Sequence, residues 1–242
     1  MSTRVTPTIA GSSDVEVGDA TLCTERIVVA TGSDQVIPSI NRLAEAAFWT
    51  NREATTLTEL PDSVMILGGG PVGIELGQFL RRFGVEVTLI HSHDRVISRE
   101  EPEVGELIAE VLRAEGIELR LDARAESAAR TNGHWSRETL RREEVSDGEL
   151  LVATGRRARV DRLGLEAAGI EPGARRIEVD ERCRAAPGVW AIGDVTRVMP
   201  FTHVGMYQAR IVADDIAGRE ARASYDAIPR VVFPTPRLLP SG

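Results

Sequence analysis

Three glycines carry the first chemistry in this sequence. In VMILGGGPVGIELG, Val64 to Gly77, the residues Gly68, Gly70 and Gly73 form G-x-G-x-x-G between an apolar β-branched run and an apolar stretch of helix length. That pattern suits a dinucleotide phosphate. Gly68 permits the tight turn, Gly70 leaves room for a pyrophosphate against the backbone, and Gly73 lets the helix pack close to the strand. The helix N-terminus then offers unpaired N–H groups and the positive end of its dipole. Gly77, one turn on, allows close packing of the same helix. A purely structural glycine turn is the alternative, and the strand and helix on either side argue against it.

The next strand of such a unit, VEVTLI, ends where a ribose would be read. An acidic residue there favours NAD, whereas an arginine nearby accommodates the 2′-phosphate of NADP. The sequence has His91, Ser92, His93, Asp94 and Arg95. His91 stands at the usual acidic position, and Asp94 and Arg95 point opposite ways. The reading leans towards NADP and leaves NAD open.

The elements that must position these residues are legible from periodicity. Apolar runs at Arg26–Ala30, Val64–Leu67, Val85–Ile90, Ile117–Leu121, Glu149–Ala153 and Val189–Ile192 predict strands. Segments of helical period, Pro71–Arg82, Glu103–Glu115 and Met206–Ala217, lie between and after them. This alternation predicts an α/β fold with a largely parallel sheet. From Ala123 to Asp147 an Asn-Gly dipeptide and a charge run predict a solvated hairpin or meander.

One internal echo adds to this. RIVVATGS, Arg26 to Ser33, and ELLVATGR, Glu149 to Arg156, are both apolar strands ending in Ala-Thr-Gly. Small residues at a strand end let a backbone or ligand come close. Thr31 and Gly32 in the first copy and Gly155 in the second are therefore candidate cofactor-binding positions, in two related nucleotide-binding units.

Composition narrows the function classes. The 242 residues suffice for one large or two ordinary domains, and 29 basic against 37 acidic residues give a net charge of −8. Spread along the chain, that excess argues against nucleic acid or an anionic membrane as partner. The N-terminus has no basic region followed by an apolar one, so a cytoplasmic location is expected, and no apolar run reads as a membrane span. The two cysteines, Cys23 and Cys183, form no CxxC or CxxxxC pair. They read as ordinary semi-buried thiols, and no metal site is expected.

Taken together the motifs resemble the pyridine nucleotide-disulfide oxidoreductase family, in its dihydrolipoamide dehydrogenase and mercuric reductase branch. The residues that carry the likeness are ATGS with Pro38 following, GGGPVGIE, the second ATGR, and GVWAIGDVTRVMPFTHVGMYQAR, in the family's order from about Val15 to about Phe233. The resemblance implies a Rossmann-like NAD(P)-binding domain inserted in a partial FAD-binding domain. It implies the end of a first FAD segment over 1–40, the NAD(P) domain over 41–158, a return to FAD binding over 159–225, and the start of a dimerisation-domain linker over 226–242. It further implies that Gly193 and Asp194 hold a ribityl hydroxyl of FAD, that Thr202 and His203 open a helix facing the flavin pyrimidine, and that Glu75 lies near the flavin. The cofactors implied are FAD and NAD or NADP, beside an unidentified small-molecule electron acceptor and, in a complete chain, a homodimer.

The chain also departs from the family. It lacks an initial FAD-binding G-x-G-x-x-G, the redox-active CxxxxC pair and the terminal domain with its His-Glu pair, so it is expected to be truncated at both ends, with no catalytic residue assigned. Where the family resemblance implies something like VVFTDPEVAPVG, this chain reads VVFPTPRLLPSG, Val231 to Gly242, and one base deleted after the Phe233 codon can convert codons for Thr-Asp-Pro-Glu-Val-Ala-Pro-Val-Gly into the string found from Pro234 to Gly242, so a frameshifted or truncated reading frame is expected. The expected function is hydride transfer between NAD(P)H and FAD by an incomplete oxidoreductase chain. The alternative is a non-catalytic NAD(P)-binding module or sensor.

Overall fold

The computed structural model of the chain describes residues 7–43, 47–131, 134–139, 142–146, 148–171, 175–229 and 231–234. The first strands are β1 (Thr8–Ile9), β2 (Asp14–Val17), β3 (Ala20–Cys23), β4 (Ile27–Val29) and β5 (Ser33–Gln35). The short helix α1 (Asn51–Ala54) leads to β6 (Ser63–Leu67), α2 (Pro71–Arg82), β7 (Glu86–Ile90), α3 (Pro102–Ala114) and β8 (Glu118–Arg120). Then come β9 (Ala125–Thr131), β10 (His134–Thr139), β11 (Arg142–Ser146), β12 (Glu149–Val152) and β13 (Arg156–Ala158). The chain continues through β14 (Arg184–Ala186), β15 (Val189–Ala191) and α4 (Thr202–Ile216).

These elements divide into two compact units: Met1–Asp34 with Arg156–Arg230, and Gln35–Gly155 with Val231–Gly242. In the second unit β12, β6, β7 and β8 form a parallel sheet in that order. Four of the five residues of β6 are buried, as a central parallel strand covered on both faces requires. On one face Ile66, Val87 and Leu89 pack with Ile74 and Leu80 of α2 and Ile108 and Leu112 of α3. On the other, Met65, Leu67, Ile90, Leu150 and Val152 pack around Leu43.

The two longer helices of this unit, α2 and α3, start on a proline, which lacks the N–H that a first helical turn leaves unpaired. They carry arginine in the last turn, Arg81 and Arg82 in α2 and Arg113 in α3, and a left-handed glycine follows two residues after each helix, Gly84 (φ 91°) or Gly116 (φ 85°). Arg81 of α2 donates through Nε to the carbonyl of Glu115 at 2.9 Å, tying the two helix ends together.

The segment read as a hairpin or meander folds as the antiparallel sheet β9–β10–β11. The Asn132-Gly133 turn itself lies outside the described residues, as does the tail beyond Pro234.

In the first unit β15 runs parallel to β4 and antiparallel to β14. Ile27, Val29, Val189 and Ala191 bury one face with Leu163, Leu165, Ile177 and Val195, and Trp190 and Cys183 pack with Ile211 and Val212 of α4 on the other. The meander β1–β2–β3 had no counterpart among the strands predicted from sequence, because its strands are only two to four residues long and β3 is exposed throughout, so no buried apolar run marks them. Helix α4 begins four residues before the periodic run at Met206, since the buried Val204 already belongs to its inner face. The cysteines also differ from their reading as a semi-buried pair: Cys23 is exposed and Cys183 is buried.

Candidate functional site

The glycine turn joins β6 to α2, and its three motif glycines meet different constraints. Gly68 has φ 118°, and a Cβ there would stand 2.3 Å from the carbonyl oxygen of Ala153. A Cβ on Gly73 would stand 2.0 Å from the carbonyl oxygen of Gly68. Gly70, between them, has nothing within 4 Å of a Cβ position and is the N-cap of α2 without any side-chain cap. Two glycines thus let the chain turn back tightly, and the third opens the uncapped helix N-terminus to whatever lies before it. Gly77 seats α2 on the sheet: a Cβ there would meet Ile66 Cδ1 at 3.0 Å.

The loop after β7 folds onto this turn. Gly69 donates its N–H to Nδ1 of His91 at 3.1 Å and accepts the N–H of Ile97 at 2.8 Å. Burial first, and His93 second, push the His91 imidazole below the ordinary histidine range, against the opposing pull of Asp94. A neutral ring agrees with the geometry, because Nδ1 can accept only while it carries no proton. Arg95 turns towards the following helix: its stem lies 3.4 Å from the Cβ position of Gly105, and Nη2 donates to the Ser98 carbonyl at 3.3 Å. Glu75, on the second turn of α2, accepts the N–H of Phe233 at 3.0 Å.

The two Ala-Thr-Gly copies make the same pair of bonds, each within its own unit. Thr31 Oγ1 donates to the Arg159 carbonyl at 2.7 Å, and Gly32 accepts the Arg159 N–H at 2.9 Å. Thr154 Oγ1 donates to the Val36 carbonyl at 2.8 Å, and Gly155 accepts the Val36 N–H at 2.9 Å. Gly32 (φ 74°) and Gly155 (φ 127°) both have open space at the Cβ position. The echo in the sequence is therefore an echo in hydrogen bonding.

Asp194 follows β15 in the first unit. Ser33 Oγ donates to its Oδ2 at 2.6 Å, Arg156 Nε bonds that same Ser33 Oγ at 2.7 Å, and the carboxylate stays 29% exposed. Gly193 takes φ 74° and donates its N–H to Oε1 of the fully buried Gln208 at 2.7 Å, and Gln208 Nε2 bonds the Tyr225 hydroxyl at 2.9 Å. Thr202 and His203 open α4, again without a side-chain cap. The His203 ring stacks on Phe201 with centroids 5.3 Å apart, and its Nε2 donates to the Pro229 carbonyl at 3.1 Å.

Sequence reasoning passed over Ser33, Arg156, Gln208 and Gly69. A signal existed for two of them: Ser33 and Arg156 are the residues that directly follow the repeated tripeptide. Gln208 sits inside an amphipathic helix, where nothing local marks a glutamine as buried.

Elsewhere in this unit the buried carboxylate of Asp215 receives Arg184 at 2.6 and 2.7 Å, Trp190 Nε1 at 2.9 Å and Arg182 at 3.1 Å. Hydrogen bonding from Arg184 foremost, with Trp190 and Arg182, lowers its pKa to about 2 against the cost of burial. This cluster locks α4 to β14 and β15. Among the described residues no group of three or more His, Cys, Asp or Glu side chains could hold a metal ion, and no helix is long and apolar enough to cross a membrane.

Comparison with known proteins agrees with this architecture. The chain is 37% identical over 232 residues to the mercuric reductase of Streptomyces lividans, covering 93% of this chain and 48% of that protein. It is 34% identical over 225 residues to the dihydrolipoyl dehydrogenase of Chlorobaculum tepidum, covering 90% and 48%. The HOCl-induced flavoprotein disulfide reductase of Escherichia coli superposes with a TM-score of 0.84 at 28% identity, over 91% of this chain and 51% of that one. The chain thus spans about half the length of these relatives. A family model described as pyridine nucleotide-disulphide oxidoreductase matches residues 3–209. With its glycine turn, its parallel sheet and its paired Ala-Thr-Gly strand ends, the chain belongs to the pyridine nucleotide-disulphide oxidoreductase family.

Proposed function

We propose that this chain is part of an FAD-dependent NAD(P)H oxidoreductase, in which Gln35–Gly155 binds the nicotinamide dinucleotide and the Met1–Asp34 and Arg156–Arg230 unit contributes to FAD binding. The observation that carries the reading is the contrast within the glycine turn. Gly68 and Gly73 admit no Cβ, whereas Gly70 faces open space at an uncapped helix N-terminus. A cradle of that shape fits a pyrophosphate, whose charge the first-turn N–H groups of α2 would meet.

The residues of the other unit fit the flavin cofactor in the same sense. Asp194 presents a partly exposed carboxylate, steadied by Ser33, beside a glycine with open space. It would accept a ribityl hydroxyl, and Thr202 and His203 at the N-terminus of α4 would offset negative charge on the ring. Bound together, flavin and nicotinamide supply hydride exchange, with a disulfide, a metal ion or a quinone-like compound as onward acceptor. The polypeptide's share is to bind, orient and set the local electrostatics. In this reading the protein is cytoplasmic, and its full-length form is a homodimer.

The test is the visible spectrum of the purified 242-residue chain after incubation with FAD, with NADH and then NADPH added. A bound flavin band that bleaches supports the reading. Nucleotide binding detected by protein fluorescence without bound flavin would restrict the function to the Gln35–Gly155 unit, and no binding of either cofactor would refute it.

A further inference from the structure

Gly193 is the second residue beyond β15, where the backbone turns left-handed at φ 74° and leaves the sheet. The preceding Ile192 N–H still reaches the Val29 carbonyl of β4 at 3.0 Å. From Gly193 onwards side chains take over that task. Gly193 donates its N–H to Oε1 of Gln208 at 2.7 Å, and its carbonyl accepts the Thr196 hydroxyl at 2.9 Å.

The orientation of the Gln208 amide follows from its surroundings. Only the oxygen can accept an N–H, so Oε1 faces Gly193. The hydrogens on Nε2 are then left for the Tyr225 hydroxyl, 2.9 Å away, and Thr196 Oγ1, 3.5 Å away. Gln208 is fully buried, so removing its amide would orphan a backbone donor inside the fold. Helix α4 comes this close because position 205, about one turn before Gln208, is glycine: a Cβ there would stand 3.4 Å from Gly193 Cα. Tyr225, on the segment after α4, is set edge-on to Tyr207 with ring centroids 6.2 Å apart, which braces the far end of the amide.

The amide thus ties α4 to the turn that carries Asp194. On the reading that Asp194 and the N-terminus of α4 both face the flavin, we infer that Gln208 is a positioning residue for that cofactor. It fixes the Gly193 backbone, and through it the place of the Asp194 carboxylate relative to the first turn of α4. Being fully buried, Gln208 acts only through Gly193. Ser33 steadies the carboxylate end of Asp194, and Gln208 steadies its backbone end.

The test is a double-mutant cycle on FAD affinity, measured by flavin fluorescence for the 242-residue chain, Q208L, D194A and the Q208L/D194A double variant, with Q208E as the conservative change and a thermal melt for each. Q208L removes the acceptor for Gly193 and is expected to weaken FAD binding by about fivefold, within the worth of one hydrogen bond. In the D194A background the same substitution is expected to change affinity by less than about twofold, because the group it positions is gone. Q208E still accepts from Gly193 in either protonation state, and is expected to hold affinity within about twofold of the wild type. A merely structural role predicts a different pattern: Q208L would weaken binding by the same factor with or without Asp194, and that result overturns the inference. Unchanged affinity in Q208L overturns it too, as does a loss in Q208E equal to that in Q208L. These results leave the flavin reading standing, whereas a wild-type chain that binds no FAD removes that reading and the inference together. If Q208L does not fold, Q208N, whose amide is one methylene too short to reach Gly193 and Tyr225 together, takes its place in the cycle.

Discussion

The carbonyl oxygen of Gly68 stands 2.0 Å from where a Cβ on Gly73 would be, so α2 can follow β6 this closely only with glycine at position 73. Gly70, three residues earlier, meets nothing within 4 Å. One turn therefore holds a glycine required for packing and a glycine that the fold does not require.

That difference is testable by a pair of substitutions. Gly73→Ala is expected to destabilise the chain by about 1–3 kcal/mol, the usual cost of overpacking against a backbone that must shift. Gly70→Ala, at an allowed φ of −83°, is expected to change stability by no more than about 0.5 kcal/mol and yet to weaken nucleotide binding sharply. Denaturant melts read the first effect and fluorescence titration the second. Equal losses of stability would contradict the distinction.

His91 should titrate below the ordinary histidine value of about 6.5, since burial disfavours its charged form and protonation at Nδ1 would break the bond from Gly69. A group whose folded pKa is depressed binds fewer protons in the native state. Stability is therefore complete above about pH 6.5 and declines as the pH falls through that value towards the lower folded pKa. NMR of the imidazole and of the Gly69 amide should report one shared midpoint, and H91N should remove it.

Asp215 acts over a lower window. Its folded pKa of about 2 lies beneath the unfolded value of about 3.9, so its contribution is present above about pH 4 and lost as the pH falls towards 2. Asp215→Asn keeps the shape while removing the charge that Arg184 and Arg182 face, and is expected to cost about 3 kcal/mol. In the variant, urea melts between pH 4 and pH 2 should lose the part of the pH dependence that Asp215 supplies.

Asp194 tests the flavin side. Asp194→Ala is expected to lower FAD affinity by about tenfold or more, because a charged acceptor is lost, with a smaller effect on the melting temperature since the carboxylate is 29% exposed. Ser33→Ala, which removes only the bond that steadies that carboxylate, should have a weaker effect in the same direction. Flavin fluorescence titration measures both. An unchanged affinity in D194A would remove Asp194 from the site.

What the sequence determined by itself is what short windows of chain dictate. The G-x-G-x-x-G spacing between strand and helix, the apolar runs of β6, β7, β12 and β15, the span of α2 and the doubled Ala-Thr-Gly are all set by local periodicity and by where glycine is tolerated. The tertiary structure decided which polar groups meet. Ser33 and Asp194 are 161 positions apart and come within 2.6 Å only because β15 lies beside β4. Gln208 looks like any surface residue of an amphipathic helix until Gly193 and Tyr225 are found on either side of it. His91 stood out in the sequence as a histidine where an acid is usual. Its tautomer, and with it the change from acceptor to donor, depends on the Gly69 N–H that the folded loop brings to Nδ1. The physical reason is common to all three. Backbone conformation follows from neighbours along the chain, whereas a buried donor or acceptor must be satisfied by whatever the packing of distant strands places next to it.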